Sequence, residues 1–301
     1  MNAAQTKPTL TTQSNTTYQR WLGSRRNQWL LQRLIIYVLL LLGGFIMVIP
    51  FFWLLTSSLK APSKIYVLPP QWIPSPIQWQ NYPTAVTSIP YWDYALNTLT
   101  ITVGAMLGTI ITSSMAGFAY GRLRWPGRDF LFTCMLSTLM MPNVVLMIPT
   151  YILYKYLGWL DSFLPLTVPY WFGGGAFNIF LMRQFMMTIP KDLDDAARVD
   201  GANAFTIYTR LLLPLCRPAL AIVAIFSFIY HWNDFMGPLI YLTNPDLRTL
   251  SLGLNYFKDM FRVKTELIMA GSTIMITPII LLFLLAQQYF VQGIALTGLK
   301  G

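Results

Sequence analysis

Asp192, Asp194, Asp195 and Asp200 crowd one polar stretch, while Asp234 stands alone inside the apolar run Tyr230-His231-Trp232-Asn233-Asp234-Phe235. Carboxylates can exchange protons, hold cations or pair with arginines, and their surroundings decide which. A metal or redox centre needs more than this chain offers, which is one histidine, His231, and two cysteines, Cys134 and Cys216. Ser227 and His231 are four residues apart and could touch on a helix, but no orienting acid accompanies them, so a packed hydrogen-bonded pair is the simpler reading than a hydrolytic one. No Gly-Lys dipeptide occurs, so the phosphate-cradling loop G-x-x-x-x-G-K-[ST] is absent.

The elements that must position these residues are membrane helices. Of 301 residues, 55% are hydrophobic and 11% charged, and the mean hydropathy is +0.50. Soluble domains carry about 25% charged residues. Stretches 34–55, 94–120, 130–154, 162–182, 218–242 and 267–291 each approach or exceed the roughly 20 residues that cross hydrocarbon as a helix. The expected fold class is therefore an all-α membrane protein with six transmembrane helices and a short polar helix between spans four and five. Residues 1–33 read as a polar, partly disordered tail, 34–291 as the membrane domain with a long loop at 183–217, and 292–301 as a second tail. The first span is longer than a signal h-region and no A-x-A site follows, so it is expected to stay attached. No connecting segment is long enough for a nucleotide-hydrolysing domain of ordinary size.

A net charge of +10 on a soluble protein would point to nucleic acid. Here fourteen of the 21 Lys and Arg fall in alternate connecting segments, which by the positive-inside rule places both termini in the cytoplasm and assigns no nucleic-acid partner. The external segment 56–93 then carries Pro62, Pro69, Pro70, Pro74, Pro76, Pro83 and Pro90 among Trp72, Trp79, Tyr91 and Trp92. It reads as a stiff surface loop, or more sharply as a docking surface for an external partner.

Within the spans, Gly104, Gly108 and Gly117 let helices approach closely, and Gly173, Gly174 and Gly175 allow either packing or flexing. Pro142, Pro149, Pro165, Pro169 and Pro278 are expected to interrupt spans three, four and six. Tyr230, Asn233, Asp234 and Gly237 share one helical face by spacing. An ionised Asp at mid-span is unfavourable by about 2.5–3.5 kcal/mol, so it faces a polar route or a hydrogen-bonded structural cluster.

In the loop 183–217, Pro190 suits a first helical turn, and Asp192, Asp194 and Asp195 suit its positive end. Arg198 can pair with Asp194 at i,i+4, and Gly201 is a natural stop. Leu193, Ala196, Ala197 and Asp200 then share a side kept thin by two alanines, suited to docking another protein or to lying in the membrane interface.

Asp195-Ala196-Ala197, three residues, Gly201, nine residues and Leu211-Leu212-Leu213-Pro214 resemble the E-A-A-x3-G-x9-I-x-L-P pattern of permease subunits of binding-protein-dependent ABC importers. Asn97-Thr98-Leu99, the stretch from Ala116 to Arg128, Trp232-Asn233-Asp234-Phe235, Pro245 to Leu250 and Gln288 to Gly293 are similar to the carbohydrate-uptake branch, the maltose-type inner permease. Asp195 stands where Glu is usual, and Leu211 where Ile is usual.

The resemblance implies a bacterial inner-membrane importer built with a second permease subunit, two cytoplasmic ABC ATPase subunits and an external solute-binding protein. It implies a sugar-like solute and no cofactor on this chain, since ATP and Mg belong to the ATPase subunits. Asp195, Ala196, Ala197, Arg198, Asp200 and Gly201 would form the ATPase-coupling element, and the residues after 291 would touch the ATPase pair. The remaining rival is a secondary transporter driven by an ion gradient, which usually shows internal repeats and mid-bilayer ionisable groups. No repeat is visible here, and Asp234 alone qualifies.

Overall fold

The computed structural model describes residues 25–258 and 263–298. Residues 1–24 of the tail expected over 1–33, and the last three residues of the tail expected over 292–301, lie outside them. The described residues are helical, with no strand beyond an isolated bridge between Lys258 and Val263. They divide into units 1–56 and 57–301.

Helix α1, Arg25–Ser58, fills most of the first unit, starting before the apolar run itself and keeping Pro50 inside. Its apolar side chains from Trp29 to Leu55 are largely exposed, as hydrocarbon rather than water would permit.

In the second unit, the short helix α2, Asn81–Thr87, leads into α3, Tyr91–Arg122, the axis of the packing. Helices α7, Ala176–Thr188, and α9, Arg217–Trp232, lie against α3. The close approach depends on Gly117, where a Cβ would fall 2.6 Å from the Cβ of Met182 and 3.0 Å from the backbone nitrogen of Arg183. The small-residue seam read from the sequence is thus a packing seam.

Three helices, Gln28–Ser58, Tyr91–Arg122 and Thr265–Gln287, are each long and apolar enough to cross a membrane, and two bent pairs would raise the number to five. Span three is not one helix. Arg128–Met140, which contains α4 (Arg128–Ser137), meets α5, Asn143–Tyr156, at 102° across Pro142, because the residue before a proline is driven to extended backbone and Met141 adopts ψ 120. Span four is broken as well. Helix α6, Leu164–Thr167, runs into a 3-10 turn at Val168–Phe172, and then Gly173, Gly174 and Gly175 all take positive φ before α7 begins.

Span five ends early, since α9 stops at Trp232 and α10, Met236–Tyr241, follows. The Pro238 ring would clash with the Asp234 carbonyl if one helix ran through both. On its other side, α9 meets the helical stretch Ala204–Leu215 at 78°. By contrast Pro149 and Pro278 sit inside continuous helices, α5 and α12 (Thr265–Gly298), contrary to the expected interruptions. One missing N–H leaves the flanking turns intact where no competing partner draws the backbone away.

The backbone groups freed at the breaks find side chains, as membrane depth demands. Asn178 Nδ2 donates to the Gly174 carbonyl at 2.7 Å and Thr112 Oγ1 to the Tyr170 carbonyl at 3.2 Å, while the Trp171 indole N–H in the broken stretch donates to the Gly104 carbonyl within α3 at 3.1 Å. Ser251 Oγ donates to the Asp234 carbonyl. Ser251 belongs to α11, Leu250–Leu254, which packs on both α3 and α12.

Alternate connecting segments gather at opposite ends of this unit. At one end Arg183 Nε donates to the Tyr120 carbonyl at 3.3 Å. At the other, Asn97 Nδ2 donates to the carbonyls of Asp246 and Arg248, at 2.8 and 3.0 Å. There too the Asp161 carboxylate accepts from the Thr243 hydroxyl and from the Thr243 and Asn244 N–H groups, which hold its carboxyl below the usual carboxylate range. A depressed folded pKa stabilises fully above the unfolded value, about 3.9, and that contribution is lost as pH falls through the lower folded value. Acidification below about pH 4 should therefore lower the protection of the Thr243 and Asn244 amides relative to an unstructured chain at the same pH, and Asp161→Ala should lower it at every pH. Protection indifferent to both changes would show that the tie restrains nothing.

Candidate functional site

The aspartate-rich stretch forms helix α8, Asp192–Val199, with Asp192, Asp194 and Asp195 in its first turn and Arg198 in its last. It stops as a Schellman motif: Ala202 N–H donates to the Ala197 carbonyl at 2.9 Å and Gly201 N–H to Arg198 at 3.0 Å, with Gly201 at φ +82. Leu193, Ala196, Val199 and Asp200 are exposed, as is Phe205 just beyond, whereas Ala197 turns half inward onto the cluster containing Met186 and Tyr208. The expected thin side is therefore present with Ala197 at its inner edge.

The expected Arg198–Asp194 pair does not form. Arg198 Nη1 lies 3.0 Å from Asp195 Oδ1, on the surface, because Asp194 turns inward to Arg122, with Nη1 to Oδ2 at 3.6 Å. Arg122 is a residue that sequence reasoning misses. It stands far from the loop in sequence, within Gly121-Arg122-Leu123-Arg124, and no periodicity links the two.

At the break in span five, Asp234 lies outside any helix, and its Oδ1 accepts from Gly237 N–H at 3.1 Å. Helical spacing therefore fails for the predicted strip. Tyr230, Asp234 and Gly237 do line one cavity of about 470 Å3, with Asn143, Thr150, Tyr154, Tyr170 and Tyr241 around them. Asn233 does not; it is exposed and its Nδ2 donates back to the Ile229 carbonyl at 2.9 Å. His231 is buried edge-on to Tyr170, with ring centres 4.2 Å apart, and Ser227 Oγ has no hydrogen-bond partner among the described residues. The Ser–His pair that a hydrolytic reading needs is thus not made. Among the described residues no cluster of His, Cys, Asp or Glu could hold a metal ion.

Broken spans around a polar, aromatic cavity are the architecture of solute permeases. Residues 108–296 match the family described as the inner membrane component of binding-protein-dependent transport systems. The chain is 30% identical over 285 residues to the probable ABC transporter permease protein YurM of Bacillus subtilis, covering 92% of this chain and 91% of that one. It is 34% identical over 211 residues to the arabinooligosaccharides transport system permease protein AraQ of Halalkalibacterium halodurans, covering 70% and 75%. Its fold superposes with a TM-score of 0.75 on a chain of a bacterial ABC transporter involved in the import of the acidic polysaccharide alginate, at 23% identity, covering 89% of this chain and 98% of that one. The chain belongs to the family of inner-membrane components of binding-protein-dependent transport systems. It is a permease subunit of an ABC importer, a multi-pass membrane component and not an enzyme.

Proposed function

We propose that this chain is one of two similar permease subunits of a bacterial carbohydrate importer, with six spans and both termini in the cytoplasm. Helix α8 seats on one of two ATPase subunits, where Asp195, Ala196, Ala197, Arg198, Asp200 and Gly201 form the contact. ATP and Mg act on those subunits, and an external binding protein delivers the solute. The observation that carries this reading is the exposed side of α8, ended by Gly201, on the same end of the bundle as the arginine-rich turn 121–129. A sugar-like solute is favoured by the ring of tyrosines around Asp234 and by the arabinooligosaccharide named for one relative. Purification in mild detergent should bring down an ATPase, and liposomes should accumulate solute only with ATP, that ATPase and the binding protein. Accumulation by this chain alone under an ion gradient would overturn the reading.

Tyr230, Asp234 and Gly237 line the solute route, while Asn233 stands apart from the cavity. Loss of one charged hydrogen-bonding group from such a route should cost about 1.4 kcal/mol or more, near tenfold. Asp234→Asn and Asp234→Leu should accordingly lower uptake at limiting solute by about tenfold at unchanged membrane abundance. Unchanged uptake in both would remove Asp234 from the route.

A further inference from the structure

We propose that Arg122 is a positioning residue that clasps α8 to α3, so that a displacement of the docking helix moves the long span with it. This rests on the reading that α8 docks on the ATPase. The Arg122 side chain is 1% exposed and that of Asp194 6%, although Asp192 and Asp195 beside it are exposed. One guanidinium grips two points of the incoming loop. Its Nη2 donates to the Ile189 carbonyl at 2.8 Å, just before α8, and its Nη1 lies 3.6 Å from Asp194 Oδ2 in the first turn.

Among the described residues Asp194 Oδ1 and Arg122 Nε and Nη1 have no hydrogen-bond partner, so the contact between the two side chains is an ion pair without a hydrogen bond, and the Asp194 carboxylate has Arg122 as its charge partner. Both side chains also border a polar cavity, where water can take the place of a lost partner, so parting them loosens the contact without stranding a charge, and the directional attraction resists sliding as apolar packing does not. Lys191, Arg124, Asp195 and Arg198 line that same cavity, of about 650 Å3. Arg198 is held by Asp195, so none of the remaining groups there is an acid able to replace Asp194. A strap in the opposite sense, Arg183 Nε to the Tyr120 carbonyl, ties α7 to the same end of α3. A buried ion pair contributes little net stability against apolar substitutes but fixes register, which is what a transmission contact requires.

The test uses the whole importer in liposomes, with Asp194→Asn and Arg122→Gln read for solute moved per ATP hydrolysed. Both variants should insert and assemble at near-normal yield, keep ATP hydrolysis within about twofold, and move at least tenfold less solute per ATP. Arg122→Lys, which keeps the charge, should recover a large part of that ratio. In the permease chain without its partners, Asp194→Asn should also raise amide exchange across Asp192–Val199. An unchanged solute-to-ATP ratio in both variants overturns the proposal. Failure of Asp194→Asn to accumulate also overturns it, because the pair would then serve folding. Should the unaltered chain bring down no ATPase while the exchange effect is present, the docking reading fails and the clasp stands.

Discussion

Gly201→Asp is expected to abolish solute uptake and to weaken ATPase association while membrane abundance stays close to normal. Gly201 holds φ +82, which costs a non-glycine residue about 1 kcal/mol or somewhat more. A Cβ built there meets no atom of this chain within 4 Å. Inside the subunit a Cβ therefore brings turn strain without a clash, and the Asp carboxylate adds a modest penalty of about 0.3–1 kcal/mol at the negative end of α8. A larger effect must come from atoms outside it, in a seam that α8 keeps thin with Ala196. Gly201→Ala should show the strain alone, with uptake reduced by less than about fivefold. Abundance, ATPase co-purification and uptake measured on both variants distinguish these effects, and full uptake by Gly201→Asp would mean that no partner sits against this turn.

The second large effect is expected at Gly117, where the obstacle lies within the chain. Its absent Cβ would stand 2.6 Å from the Met182 Cβ and 3.1 Å from the Met182 carbonyl carbon, and Met182 is fully buried. Backbone cannot swing aside as a side-chain tip can, so Gly117→Leu must push α7 off α3. Overpacking of this kind costs about 3 kcal/mol, and the Arg183–Tyr120 strap would be strained with it. Most of the protein should then fail to accumulate, and what survives should melt several degrees lower in detergent. Normal abundance and an unchanged melting point would show that the two helices do not meet in this way.

The apolar stretches are legible in the sequence because hydropathy reports burial in hydrocarbon, and α8 because aspartates at its start and glycine at its end act over one or two turns. The breaks are less legible. An apolar composition averaged over twenty residues is the same for a straight helix and for one turned through 102° at Pro142. Pro142 breaks its span whereas Pro149 and Pro278 do not, so a proline by itself does not decide between a break and a continuous helix. At the breaks near Tyr170 and Asp234 the freed carbonyls are satisfied by Thr112 and Ser251, partners remote in sequence that no local pattern announces. Asp234 is recognisable from its type as a polar group at depth, yet the helical period that would assign its neighbours stops at Trp232. The inward turn of Asp194 is invisible for a related reason, since its partner Arg122 belongs to a different helix.

The order in which a ribosome delivers these breaks gives them different histories. The Gly173–Gly175 break emerges after α3, so the Thr112 and Gly104 groups that bond to Tyr170 and Trp171 are already in place to receive it. The break at Asp234 has no such reception, because the hydroxyl that satisfies its carbonyl belongs to Ser251, 17 residues further on. Until that residue arrives, the bare Asp234 carbonyl must be sheltered by the insertion machinery or by water. A nascent chain halted between Asp234 and Ser251 accordingly carries an unsatisfied backbone group that the finished protein does not.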